Sequence, residues 1–103
     1  MLFLTACAQA TPEPVRPDIQ LIPDAGGLAV APSGLRIDFG RSPRGVVPVL
    51  DKALGAHQVL SLGGCPDGVT QNVAWGDITL TFSRERFVGW RQGSRSQGQV
   101  CGL

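Results

Sequence analysis

Cys65 and His57, a thiol and the chain's single histidine, are the residues whose types could do nucleophilic chemistry. A thiol attacks at neutral pH only beside a base or in a positive field, and His57 is the available base. Gly63 and Gly64 precede the cysteine, where they would expose the sulfur and leave backbone N–H groups open to an oxyanion. A small thiol-dependent enzyme using Cys65 and His57 is therefore one reading. The competing one is structural, a cysteine in a tight turn and a histidine at a strand entrance. Other chemistries lack their residues. One histidine and a few thiols do not make a zinc site, and the acids are scattered singly, without a hydrolase's paired carboxylates. Gly26-Gly27 and Gly63-Gly64 lack the spacing of a dinucleotide fingerprint. No metal and no cofactor are expected, and 103 residues exclude a two-domain dehydrogenase.

A third cysteine lies at the other end of the chain, in Leu4-Thr5-Ala6-Cys7. This tetrapeptide resembles the bacterial lipobox, an aliphatic and two small residues before a cysteine. In that family the sulfur is diacylated and the signal peptide is cleaved just before it. The resemblance implies lipidation of Cys7, export, and attachment to the cell envelope facing the periplasm, with the lipid as the membrane contact. Signal peptides run to about 15–30 residues with a basic start, so residues 1–7 are expected to be the truncated end of one. Export implies an oxidising compartment, and with Cys7 given to lipid the resemblance further implies a disulfide between Cys65 and Cys101. If the lipobox match is accidental, the chain is a soluble cytosolic domain with free thiols.

The balance of nine basic against eight acidic residues gives no global attraction to nucleic acid or to an anionic membrane. Locally, Arg84, Arg86, Arg91 and Arg95 face only Glu85. Basic clusters interleaved with aromatics mark nucleic-acid readers; one lysine and no tyrosine argue against that class. Trp75 and Trp90 could stack on sugars or anchor a partner, or cap the core at strand ends. Arg84, Arg86, Trp90 and Arg91 form the candidate interaction surface, for an envelope protein or a cell-wall component.

The elements that must position these residues follow from periodicity. Residues 8–32 carry Pro12, Pro14, Pro17, Pro23 and Pro32, a density that predicts an extended tether. Within it the apolar Ile19, Leu21, Ile22, Leu28 and Val30 either lie along the domain or add a short edge strand. The domain proper is expected over 33–103. Leu35, Ile37 and Phe39 alternate with charged residues as a half-buried strand. Val46, Val47, Leu50, Ala53 and Leu54 share a helical face ending at Gly55, and Pro48 predicts a start near Arg44 or Gly45. A strand is expected over His57–Leu62, a turn at Cys65-Pro66-Asp67-Gly68, and a hairpin pairing Ile78, Leu80 and Phe82 with Phe87–Arg91 across Ser83–Arg86. The parity change between Trp75 and Ile78 predicts a bulge or bend at Gly76.

This order predicts an α+β domain, an antiparallel sheet of about four strands against one helix. Over residues 34–91, Gly40-Arg41-Ser42 before a helix ending Ala53-Leu54-Gly55, followed by a Trp-ended hairpin, resembles the SmpA/OmlA-type small lipoprotein domain. That family includes a lipoprotein of the outer-membrane barrel assembly machinery. The resemblance implies a non-enzymatic envelope lipoprotein presenting an interaction domain.

Overall fold

The structure, a computed structural model, describes residues 19–102. The lipobox, Cys7 and the first part of the predicted tether lie outside the described residues. Among the described residues the fold is α+β, with one helix and two antiparallel sheets of three and five strands. The expected four-stranded sheet is thus replaced by two sheets, and the difference begins inside the predicted tether. Residues 20–31 form β1 (Gln20–Asp24) and β2 (Gly27–Ala31), which pair antiparallel and continue into β3 (Leu35–Asp38). The ordered elements therefore begin before residue 33. Pro23 does not prevent this because β1 is an edge strand, where a missing N–H costs no internal ladder bond. Leu28 is fully buried opposite Ile37. Leu35, predicted to face the core, is 51% exposed.

The helix α1 (Pro43–Leu54) starts earlier than Pro48 suggested. Ser42 caps it, its hydroxyl accepting from the Gly45 N–H at 3.2 Å, and Pro43 occupies the first turn, where it displaces no helical bond. Pro48 removes only its own bond to the turn before, and the helix runs through it. Pro43, Val46 and Leu50 make the buried face, while Leu54 is exposed at the far end. Gly55, at φ 100°, then closes the helix, its N–H donating to the Asp51 carbonyl at 2.8 Å.

The second sheet is a meander in chain order: β4 (Gln58–Val59), β5 (Val69–Trp75), β6 (Ile78–Ser83), β7 (Phe87–Gln92) and β8 (Arg95–Gly98). The predicted strand over His57–Leu62 shortens to two residues, with one further backbone bond from the Leu60 N–H to the Asn72 carbonyl. The parity change at Gly76 is a two-residue hairpin turn rather than a bulge, for Trp75 pairs directly with Ile78. A bulge does occur between β6 and β7, where Thr81 pairs with Gly89 but Phe82 with Phe87. It places Phe87 and Trp90, three residues apart, on the same side of the sheet. Val73, Trp75, Ile78, Leu80, Phe82, Phe87 and Trp90 there join Val46 and Leu50 of the helix and Leu28 and Ile37 of the first sheet in one buried cluster. Among the described residues no helix is long and apolar enough to cross a membrane.

Two ion pairs of Arg36 brace the first sheet. Arg36 donates to both carboxylate oxygens of Asp24, at 2.5 and 3.0 Å, and to Asp38 at 3.0 Å. The Arg36 hydrogen bonds, helped by the Gly26 N–H, lower the Asp24 pKa from 3.8 to about 2. A carboxylate whose pKa falls on folding stabilises the fold above its unfolded value and loses that contribution as pH falls through the folded one. The stabilisation is therefore present above about pH 4 and is lost towards pH 2. Urea midpoints measured from pH 5 to 2 should fall less steeply for Asp24→Asn than for the wild type, and parallel curves would show that the pair is energetically silent. Both side chains are about two-fifths exposed, so added salt should shrink the difference.

Candidate functional site

The two candidates for thiol chemistry are held in separate local arrangements. Cys65 is bonded to Cys101, 36 residues later, so in this oxidised form Cys65 has no thiol with which to attack. The predicted turn is a pair of turns on either side of the cysteine: the Cys65 N–H donates to the Leu62 carbonyl at 3.1 Å, and the Val69 N–H to the Pro66 carbonyl at 3.3 Å. His57 instead meets Asp51. Its Nδ1 lies 2.9 and 3.0 Å from the two carboxylate oxygens, and a carboxylate can only accept, so Nδ1 carries the proton. The His57 backbone N–H, at 3.0 Å, and the Trp75 indole N–H, at 3.1 Å, donate to the same carboxylate. These bonds, the His57 ring first, hold the Asp51 carboxyl below its ordinary range against the opposing effect of burial. An Asp–His pair can orient a general base, but among the described residues no hydroxyl or thiol hydrogen-bonds to His57. What Asp51 visibly does is fasten the end of α1 to the chain entering β4 and to β5.

The predicted interaction surface is not one surface. Trp90 is 3% exposed and faces the core, where its indole N–H donates to the Asp24 carbonyl at 2.8 Å and ties β7 to the first sheet. Strand alternation then sends Arg91 to the opposite face. Arg84 and Arg86 are exposed at the β6–β7 turn. The guanidinium of Arg95, on β8, lies 5.6 Å from the Trp90 ring centre and covers it from outside. Trp75 is buried as well, so neither tryptophan is available for stacking on a sugar.

The face to which Arg91 points carries a site that periodicity did not reveal. Asn72, Thr79, Thr81 and Arg91 alternate with the core residues Val73, Leu80 and Trp90, and so line the outer side of the five-stranded sheet. Such a face is ordinarily solvated. Here two chain segments lie over it, residues 60–63 before β5 and residues 100–102 after β8. The crossing of the second segment depends on glycine. Gly89 pairs with Gly98, and the Gln99 N–H donates to the Val88 carbonyl at 2.8 Å. A Cβ at Gly89 would collide with the backbone of Gln99, and one at Gly98, where φ is 76°, with the Val88 carbonyl. The Gly102 N–H donates to the Gly64 carbonyl at 2.7 Å, next to the disulfide that joins the second segment to Cys65, two residues past the first.

Beneath them is a cleft of about 340 Å³, lined by residues that include Leu60, Asn72, Thr79, Thr81, Arg91 and Val100. Its floor is polar and ordered. Asn72 and Thr81 are 7% and 1% exposed, the Asn72 amide donates to the Ser61 carbonyl at 3.2 Å, and the Thr81 hydroxyl donates to the Asn72 side-chain oxygen at 3.4 Å. Arg91 donates to the Cys101 carbonyl at 2.7 Å and is, among the described residues, the one charged side chain in the lining. A covered pocket of this size falls at the low end of the range for small-molecule sites. The polar alternation of β5–β7 was readable, but that the C-terminal residues fold back over it was signalled only through Cys101. Compared with protein-family models, curated proteins and solved structures, the chain finds no match.

Proposed function

We propose that the chain is an exported, non-enzymatic envelope protein, anchored in the membrane by lipid on Cys7, whose α+β domain presents the disulfide-covered cleft to a ligand or partner of the envelope. The observation that carries this reading is the Cys65–Cys101 bridge. Disulfides persist in oxidising compartments, and pairing two of the three cysteines leaves Cys7, the residue at which the lipobox resemblance places the lipid. The cleft replaces the arginine–tryptophan hairpin as the interaction site, because Trp90 lies in the core and Arg91 belongs to the cleft.

Expressed in bacteria behind a complete signal sequence, the protein should incorporate labelled palmitate and partition into detergent, and Cys7→Ser should abolish both. Equal labelling of wild type and variant would remove the anchor from this reading. A single acyl chain holds a protein to a bilayer only marginally, whereas a diacylated cysteine supplies the additional chains that stable attachment needs, so the loss of partitioning should be nearly complete.

A further inference from the structure

We propose, building on the reading of the cleft as the interaction site, that it binds a carboxylate group, with Arg91 as the anion ligand and Thr79 beside it. The first support is the cover itself. Laying two chain segments over a polar sheet face gains little from the hydrophobic effect, since the buried apolar cluster lies on the other side of the sheet. Yet the cover is held by the Cys65–Cys101 bridge, by the Gly102–Gly64 and Gln99–Val88 backbone bonds, and by two glycines that no larger residue could replace without a collision. Despite these ties it leaves a half-open cleft of about 340 Å³.

The charge distribution names the ligand. Arg91 has five N–H donors, of which one N–H group's bond is accounted for, to the Cys101 carbonyl. Among the described residues no aspartate or glutamate lines the cleft and none forms an ion pair with Arg91. Thr79 sits directly across from it in the β6–β7 register, a spacing at which the two side chains can share one ligand. A single planar guanidinium with a hydroxyl beside it matches the two oxygens of a carboxylate. A phosphate dianion would draw on several cations or a run of backbone N–H groups, and among the described residues the cleft offers one cation. Leu60 and Val100, at the same lining, suit a ligand whose carboxylate carries a small apolar group. Such a group comes either from a free short-chain acid or from the C-terminus of a peptide.

The experiment titrates the oxidised full chain with propionate, with N-acetylalanylalanine and with the amide of that dipeptide, following the Arg91 side-chain Nε–H resonance by NMR. Saturable binding of the dipeptide acid that shifts this resonance, with the amide at least about tenfold weaker, is expected, because a site built around a charged donor rejects a ligand that leaves it unpaired. Propionate binding as tightly as the dipeptide assigns a free acid, and a clear preference for the dipeptide assigns a peptide terminus. Arg91→Gln should lose the binding and Arg91→Lys should keep only part of it, each with its melting temperature checked. The acid–amide comparison is made on the wild type and holds even if a variant loosens the cover. Equal binding of acid and amide would overturn the carboxylate while leaving the cleft a binding site. No response from any of the three would overturn both, and neither result bears on lipid at Cys7.

Discussion

Truncating Trp90 to alanine is expected to destabilise the domain by about 3–5 kcal/mol, the range for removing a large aromatic from a core, and to leave a barely folded protein, since small domains hold only about 5–15 kcal/mol in all. Two losses add in this substitution. The ring leaves a cavity opposite Leu80, its cross-strand partner and itself fully buried. The Asp24 carbonyl also loses the indole N–H that joins the two sheets at 2.8 Å. Trp90→Phe separates the two, because it keeps most of the volume and forfeits the hydrogen bond; it should cost roughly 1–3 kcal/mol. Urea denaturation followed by circular dichroism reads both. A Trp90→Ala cost below about half a kcal/mol, the usual ceiling for a surface side chain, would return this residue to the surface and reopen the hairpin as an interaction face.

Trp90 also shows where periodicity stops being informative. Phe87 and Trp90 differ in parity, and strict alternation would put one of them outside. The bulge opposite Phe82 brings both to the core, and nothing in the composition of Phe87–Arg91 announces a bulge. What was readable had local causes: the α1 face of Val46 and Leu50, the Ser83–Arg86 turn, and the alternation of Ile78, Leu80 and Phe82. Of the first sheet β3 was legible, whereas the β1–β2 hairpin was masked by its prolines, which left only the option of a short edge strand. Pro23 counted against a strand, yet on the edge position of β1 it is harmless, and Pro32 falls just beyond β2. β8 was invisible for the opposite reason. Arg95-Ser96-Gln97-Gly98 has no apolar side chain to alternate, and its place in the sheet rests on backbone bonds to β7 and on the Arg95 guanidinium lying over Trp90. The cleft depends on that unreadable strand, because only β8 turns the chain back across Gly89 and over the outer face.

The Cys65–Cys101 bridge is the second interaction whose removal should have a large effect. It closes a loop spanning 36 positions, from the end of the turn before β5 to the segment after β8, so in the unfolded chain it restrains the whole of β5–β8. Loop-closure entropy for that length corresponds to roughly 3–4 kcal/mol. Cys65→Ser and Cys101→Ser should each cost about 2–5 kcal/mol, the range for removing a native disulfide from a small exported domain. Because both substitutions break the same covalent bond, the double variant should be no less stable than the worse single one, and a double-mutant cycle should show strong coupling. Reductant provides an independent route to the same state: it should lower the wild-type urea midpoint to that of the double variant and leave the double variant unmoved. Additive losses in the two single variants, or a wild-type midpoint indifferent to reductant under conditions where thiol counting shows the bond open, would mean that the two cysteines act separately. The cover would then rest on its hydrogen bonds, Gly102–Gly64, Gln99–Val88, Arg91–Cys101 and Asn72–Ser61. If the bridge does carry the cover, opening it should weaken dipeptide binding in the cleft at temperatures where the sheet is still folded, because Arg91 remains on β7 while the Cys101 carbonyl that orients it is released.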